Sequence, residues 1–387
     1  MRIIVFTYKA DISGGSNRSL LSILEILVNE GHNVTLYLPK KTGGMYDEAS
    51  RIGVSCIYHK YYEVVRRKKK GLLLPIQYLR LYMLYIAEWS RAYNFSKSMT
   101  DCDPDIIYTN GYAVHMGRML AKIFKKPHVW HIREFVPESA LLPCNYYQIM
   151  SNGTSKFILI SYDLYNVYLE KIKKEKLIMI SNGIKYVEQP PKIPHDGFNL
   201  LVTARICSDK RQMDAVSAMH RIFEKYNIKD IHLYFAGSPV LNEDRIYLES
   251  LKSEISKYNL NTNIFFLGEV KDMSLVRQKI DVELLCSSRE PFGRVTVEAM
   301  RSGLCVIASN AGGTKDIIKD GYNGFVYNPG NVEELSEKIM LLYRHRDLLE
   351  NMSETAKEFS KTHFTEKQLY KTVALLEDLS KRGKRDE

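Results

Sequence analysis

Two glutamates, Glu290 and Glu298, stand eight residues apart in the stretch "SSREPFGRVTVEAMRSGLCVIASNAGG", with Pro-Phe-Gly between them and a paired glycine at its end. Carboxylates so arranged can form an acid/base pair, hold a metal, or solvate a loop and complement a helix dipole. No His or Asp accompanies them at ligand spacing, so no metal site is expected. The other two readings stay open on the glutamates alone. "DVELLCSS" precedes them as a strand and "VTVEAMRSG" follows as a helix stopped at Gly303. On that reading Pro291, Phe292 and Gly293 present backbone N–H groups at a helix start, where phosphate is attracted. Glu298, about one turn in, is placed to accept hydrogen bonds from sugar hydroxyls.

Three further groups could join them. Arg205 and Lys210 follow the strand-like "NLLVTA" and precede a helix. A guanidinium fork and an ammonium point charge together suit a diphosphate, although solvated loop charges would look the same. Gly14 and Gly15 lie in "SGGSN", between the first strand and the first helix. They allow close approach to a ligand, or merely a turn. The stretch is not GxGxxG, so it carries no dinucleotide fingerprint. His131 falls near the carboxyl end of "HVWHI" and is either a site residue or a hydrogen-bonded structural histidine.

Positioning such residues takes strands that end in a common plane. The runs "IIVFTY", "NVTLYLP", "DIIYTN", "HVWHI", "KFILIS" and "KLIMIS" lack strict alternation and are mostly separated by helical patterns. That rhythm argues for a parallel sheet covered on both faces. It breaks at "SNGIKYVEQPPKIPHDG", which holds three prolines and two glycines, and this is the expected linker. The rhythm then restarts with "FNLLVTA", "IHLYFAG", "NIFFLG", "DVELLCSS", "LCVIAS" and "GFVYN". The chain closes with two expected charged helices, Val332–Tyr343 and roughly Glu366–Lys381. The expected domains are 1–186, 187–365 and a C-terminal helix at 366–387 that crosses back to the first domain. Ligands of such sheets bind beyond the carboxyl ends of the strands.

Taken together, these residues resemble the retaining glycosyltransferases of family 4. The most specific element is Glu290-Pro-Phe-Gly-Arg-Val-Thr-Val-Glu298, which matches the family's glutamate–seven residues–glutamate motif. "DGYNGFVYNPGNVEEL" and "ISNGI" continue the likeness, which covers nearly the whole chain. Arg301 and Cys305 depart from the small residues and proline commoner there. The resemblance implies a GT-B fold: α/β, with two Rossmann-like parallel-sheet domains facing across a cleft. It implies transfer of a sugar from a nucleotide diphosphate sugar, with retention and without cofactor or bound metal. Arg205 and Lys210 would hold the diphosphate, with the amides of Phe292, Gly293, Arg294 and Val295 beside it. Glu298 would bind the ribose and Glu290 the transferred sugar. Glu269 and Val270 would lie near the base, His131 beside the donor sugar, and Gly14 and Gly15 at the reaction centre. A GT-B nucleotide-sugar epimerase would share these features.

The 387-residue chain carries 55 Lys and Arg against 45 Asp and Glu, a net charge of +10. Such a balance suits an anionic partner. "VVRRKKKGLLLPIQYLRLYMLYIAEW" concentrates five consecutive cations, Arg66–Lys70, ahead of an apolar, aromatic run. It reads as an anionic-membrane contact or as a solvated loop before a core helix. A lipid-linked or glycan acceptor fits the first of these. No helix-turn-helix, zinc or RNA-binding signature accompanies the basic run, so no nucleic-acid partner is expected. The six cysteines have no CxxC spacing and read as reduced thiols. With no signal-like start and no 18-residue apolar run, the expected place is the cytoplasm, peripheral to the inner membrane face.

Overall fold

The computed structural model describes residues 1–12, 14–68, 73–99 and 102–383. The chain forms two compact units, Met1–Lys185 with Glu366–Glu387, and Tyr186–Thr365. Unit 1 runs β1 (Arg2–Thr7), α1 (Gly15–Asn29), β2 (Asn33–Leu38), α2 (Met45–Arg51), β3 (Ser55–Tyr58), β4 (Arg66–Arg67), α3 (Leu74–Ser98), β5 (Ile106–Asn110), α4 (Met116–Phe124), β6 (His128–Ile132), β7 (Ala140–Leu141), α5 (Tyr146–Ser151), β8 (Lys156–Leu159), α6 (Tyr162–Leu169) and β9 (Leu177–Met179). Unit 2 runs β10 (Phe198–Thr203), α7 (Gln212–Tyr226), β11 (Ile231–Ala236), α8 (Asn242–Lys257), β12 (Ile264–Gly268), α9 (Met273–Arg277), β13 (Val282–Leu285), α10 (Arg294–Arg301), β14 (Cys305–Ser309), α11 (Thr314–Ile317), β15 (Phe325–Tyr327), α12 (Val332–Arg344) and α13 (Arg346–His363). A last helix, α14 (Lys367–Gly383), belongs to unit 1.

Unit 1 holds a seven-stranded parallel sheet in the order β3-β2-β1-β5-β6-β8-β9. Ile3, Ile4, Val5 and Phe6 are all buried, because β1 is central and covered on both faces. Ile3 and Val5 pack toward α1 and α14, whose Leu369, Val373, Leu376 and Leu379 join that core. Ile4 and Phe6 pack with Ile107, Met119 and Leu120 on the other face. Unit 2 holds a six-stranded parallel sheet, β12-β11-β10-β13-β14-β15, with Phe198, Leu200 and Val202 in its core. In each sheet the order reverses beside the first strand, at β1/β5 and β10/β13. These are the switch points at which open parallel sheets leave a crevice.

Three local expectations are corrected. Between α12 and α14 lies a third helix, α13, where two terminal helices were expected. Its Leu349, Met352, Ala356 and Phe359 are buried at helical spacing inside a polar stretch. Arg66 and Arg67 are neither loop nor helix start. They pair antiparallel with Leu141 and Ala140. The loop after β10 contains a 3-10 turn, Ser208–Lys210. Of the basic run, Lys69 and Lys70 lie outside the described residues, as does Ser13 of the SGGSN stretch.

Candidate functional site

The switch point of unit 2 brings together residues about 80 positions apart. Lys210, on the turn after β10, donates to Glu290 Oε2 at 2.7 Å and to Ser287 Oγ at 3.2 Å. Ser287 Oγ in turn lies 3.3 Å from the same carboxylate oxygen. Burial alone would push the Lys210 ammonium down, but the Glu290 carboxylate outweighs it and holds the pKa above the usual lysine value. Lys210 is therefore charged at neutral pH. Its ammonium has three N–H groups and spends two here, which leaves one for a ligand.

The Glu290 loop is held from behind by the paired glycines. Gly313 N donates to Glu290 O at 2.6 Å. A Cβ on Gly312 (φ +63°) would stand 2.0 Å from Glu290 O, and one on Gly313 2.7 Å from Pro291 O. Only residues without side chains let the two loops pack this closely. Phe292 is buried edge-on against Phe364, so its side chain is a core group and only its backbone faces the site. Gly293 caps α10 in the left-handed conformation, φ 99°. The first amide bonded back to it is Val297 N, so the preceding turn directs its N–H groups out of the helix start.

Glu298 sits on α10 but is engaged. Arg294 Nε donates to its Oε1 at 2.7 Å, and Arg277 Nη1 lies 4.0 Å from Oε2. Arg277, which sequence reasoning missed, makes a two-pronged pair with Glu283 at 2.8 and 3.2 Å. Both are buried, 4% and 1% exposed by side chain. The signal was the lone acid in "VELL": a carboxylate inside a buried strand requires a cation. Arg205 is half-exposed, 3.8 Å from Asp244 and hydrogen-bonded to Cys207 Sγ at 3.5 Å. Glu269 and Val270 follow edge strand β12, whose last carbonyl accepts from Gly237 N at 2.7 Å. Arg205, Lys210, Glu290, Pro291–Arg294 and Glu269–Val270 thus all follow the carboxyl ends of strands in unit 2. Val295 and Glu298 lie on the helix that begins there.

Gly14, Gly15 and His131 belong to unit 1. Gly14 precedes α1 with ordinary backbone angles, and a Cβ there would touch nothing. The glycine is not a packing requirement. His131 is 2% exposed, with Tyr108 Oη 2.5 Å and Arg133 Nη2 3.3 Å from its Nδ1. A guanidinium only donates, so Nδ1 accepts and the proton sits on Nε2. Burial, then the Arg133 charge, keeps the imidazole neutral, well below its usual pKa. Among the described residues Nε2 has no partner. Arg133, also missed, further donates to Asn110 Oδ1 at 2.5 Å and to Asn182 Oδ1. Among the described residues no three His, Cys, Asp or Glu side chains could hold a metal.

Comparison with known proteins bears on the whole chain. Residues 13–186 match the family model for glycosyltransferase family 4, and residues 186–359 that for glycosyl transferases group 1. An uncharacterized glycosyltransferase of Methanocaldococcus jannaschii is 26% identical over 310 residues, 75% of this chain and 80% of the relative. The poly(glycerol-phosphate) alpha-glucosyltransferase of Bacillus subtilis is 25% identical over 179 residues, 45% of this chain but only 25% of that longer protein. Among solved structures, Anabaena HepE in complex with UDP aligns with a TM-score of 0.77 at 20% identity, covering 98% of this chain and 100% of that one. A glycosyltransferase from Rickettsia africae aligns with a TM-score of 0.78 at 19% identity, covering 98% of each. Two family models that run from residue 13 to residue 359, over two Rossmann-like parallel-sheet units, identify the chain as a glycosyltransferase of the family 4 type with the GT-B fold.

Proposed function

We propose that the chain moves a sugar, with retention, from a nucleotide diphosphate sugar to a glycan or lipid-linked acceptor in the building of a cell-surface polysaccharide. The observation that carries this is the Lys210–Ser287–Glu290 cluster beside the start of α10. The diphosphate lies against the remaining Lys210 N–H, Arg205 and the first amides of α10, which stabilise the charge of the departing group. These fixed donors take the role a bound metal would fill. Glu290 accepts from a hydroxyl of the transferred sugar. Glu298 turns from Arg294 to the ribose. The bond from the anomeric carbon to phosphate breaks, and its electron pair leaves with the nucleotide. The acceptor oxygen bonds the same face of that carbon, and its proton passes to the leaving phosphate oxygen. HepE structures hold UDP or UDP-glucose, and the Bacillus relative is by name an alpha-glucosyltransferase. The first supports a nucleotide-sugar donor, and the second supports sugar transfer.

A thermal-shift panel of UDP-, GDP-, ADP- and CDP-sugars tests the reading. One nucleotide series should raise the melting temperature, because a ligand bound only to the folded state stabilises it. Glu298→Ala should weaken that stabilisation about tenfold in ligand concentration. Glu290→Ala should leave it largely intact and lower turnover. A panel without any shift defeats the donor assignment.

We further propose that the transfer takes place at an anionic membrane surface. On α3 and its N-cap, Leu73, Ile76, Leu79, Met83 and Ile86 are 47–67% exposed, spaced three or four apart along one face. Arg66, Arg67, Lys68, Arg80 and Lys97 are exposed on the same stretch. The only acid between residues 64 and 99 is Glu88. It is buried and bound to Arg91 and to Tyr62 N. An apolar stripe flanked only by cations would repel a second copy of itself and is complementary to anionic lipid. Among the described residues no helix is long and apolar enough to cross a membrane. Sedimentation with vesicles containing phosphatidylglycerol is expected, and Leu79→Glu with Met83→Glu should reduce it at least about tenfold. Equal sedimentation of the two proteins rules out this face.

A further inference from the structure

Helix α10 begins against its own dipole. Its first turn holds Arg294 and no acid, and the carboxylate that answers Arg294 lies one turn further on, at Glu298. A cation at the amino end with an acid four residues later is the less stable order of such a pair, because the amides at that end are already positive. Arg294 Nε nevertheless donates to Glu298 Oε1 at 2.7 Å. The same turn carries Thr296, 1% exposed, whose hydroxyl has no partner among the described residues. That hydroxyl lies 3.2 Å from where a Cβ of Gly293 would stand, so it faces the cap of the helix. A threonine inside a helix ordinarily turns its hydroxyl back to the carbonyl one turn earlier. The turn thus offers a cation and a hydroxyl to an anion that the first turn itself does not supply.

The two guanidiniums beside Glu298 differ in kind. Arg277 is 4% exposed by side chain and committed to Glu283 by two hydrogen bonds, with Nη1 4.0 Å from Glu298 Oε2. It cannot leave without stranding a buried carboxylate. Arg294 and Glu298 are 21% and 26% exposed by side chain. A pair open to solvent on a helix surface holds only weakly. When Arg294 moves away, Arg277 still stands behind Glu298, so that carboxylate is never left without a cation. The guanidinium of Arg294 also starts from the first residue of α10, within reach of the helix start and its amides.

We propose that the donor moves Arg294 from one anion to another: the ribose hydroxyls displace it from Glu298, and it turns to the diphosphate at the start of α10. This rests on unit 2 being the nucleotide-sugar site described above. No covalent bond changes in the exchange. A guanidinium meets a diphosphate with two parallel N–H groups, a stronger contact than the exposed pair it leaves.

Arg294 thereby sets which ligands the site accepts. A nucleoside must break the Arg294–Glu298 pair and offers the guanidinium nothing in return. Pyrophosphate carries the anion but leaves Glu298 in competition for Arg294. Only a molecule with ribose and diphosphate in one piece satisfies both residues, so the two halves of the donor bind better together than apart.

The test compares nucleosides with their diphosphates on the full chain: uridine with UDP, guanosine with GDP, adenosine with ADP and cytidine with CDP. Calorimetry reads the diphosphates and saturation-transfer NMR the nucleosides. For the base that binds, Arg294→Met should weaken the diphosphate about tenfold and tighten the nucleoside about twofold. The opposite signs separate the exchange from a general disturbance of the site, which would weaken both ligands. If Arg294→Met melts below the wild type, Arg294→Gln decides the matter, since it keeps a donor for Glu298 and lacks the charge. It should lose the diphosphate affinity and hold the nucleoside as the wild type does. Unchanged diphosphate affinity, or its loss in Arg294→Met without a gain for the nucleoside, overturns the proposal. Failure of all four diphosphates to bind the wild type would instead defeat the donor reading, and this proposal with it.

Discussion

Lys210→Met should lower transfer about a thousandfold, the scale seen when one fixed donor is removed from a developing negative charge. Methionine has nearly the length and volume of lysine, so the turn after β10 keeps its packing. What disappears is the charge that pins Glu290 and that, in the proposed function, faces the diphosphate. The variant should therefore also lose most of its stabilisation by nucleotide sugars. Release of nucleotide from the donor that the thermal panel identifies provides the rate. A structural origin for the loss is separable. Lys210→Met leaves the Glu290 carboxylate partly buried and unpaired, whereas Lys210→Met with Glu290→Gln removes both charges. The double variant should recover the melting temperature but not the rate. Recovery of both would make Lys210 a scaffold residue only.

Arg277→Met should be the most destabilising single change in unit 2. It strands Glu283 in the sheet at 1% side-chain exposure. Breaking a buried pair on one side costs about 3–5 kcal/mol, or roughly 10 °C in the melting of a unit of this size. Arg277→Met with Glu283→Leu should restore most of that, since an apolar pair of similar volume fits a buried strand. The double variant should still respond less to nucleotide, because Arg277 Nη1, 4.0 Å from Glu298 Oε2, helps hold that carboxylate. A double variant that responds like the wild type would separate the buried pair from the site. Calorimetry with and without nucleotide reads both effects.

The parallel sheets were legible because their strands are continuous apolar runs of the length a doubly covered strand needs. Glu290, Glu298, Arg205 and Lys210 were legible as types at a spacing. Their partners were not. That Lys210 holds Glu290, or that Arg277 stands between Glu283 and Glu298, follows from strand order, which local pattern does not encode. The β4–β7 pairing of Arg66 and Arg67 was hidden for the same reason: two residues in a ladder have no periodicity to detect. In α13 the signal was present but diluted, because Leu349, Met352, Ala356 and Phe359 are separated by charged residues.

The return of α14 to unit 1 has a consequence for how the protein is made. Residues 186–365 leave the ribosome before residues 366–387, so unit 2 has its whole sequence available while unit 1 still lacks Leu369, Val373, Leu376 and Leu379. Until they arrive, α1 presents an apolar face to water or to a chaperone, so the half synthesised first is the half completed last. A stop codon between residues 366 and 379 would thus be felt in the core around β1, which is the first strand made.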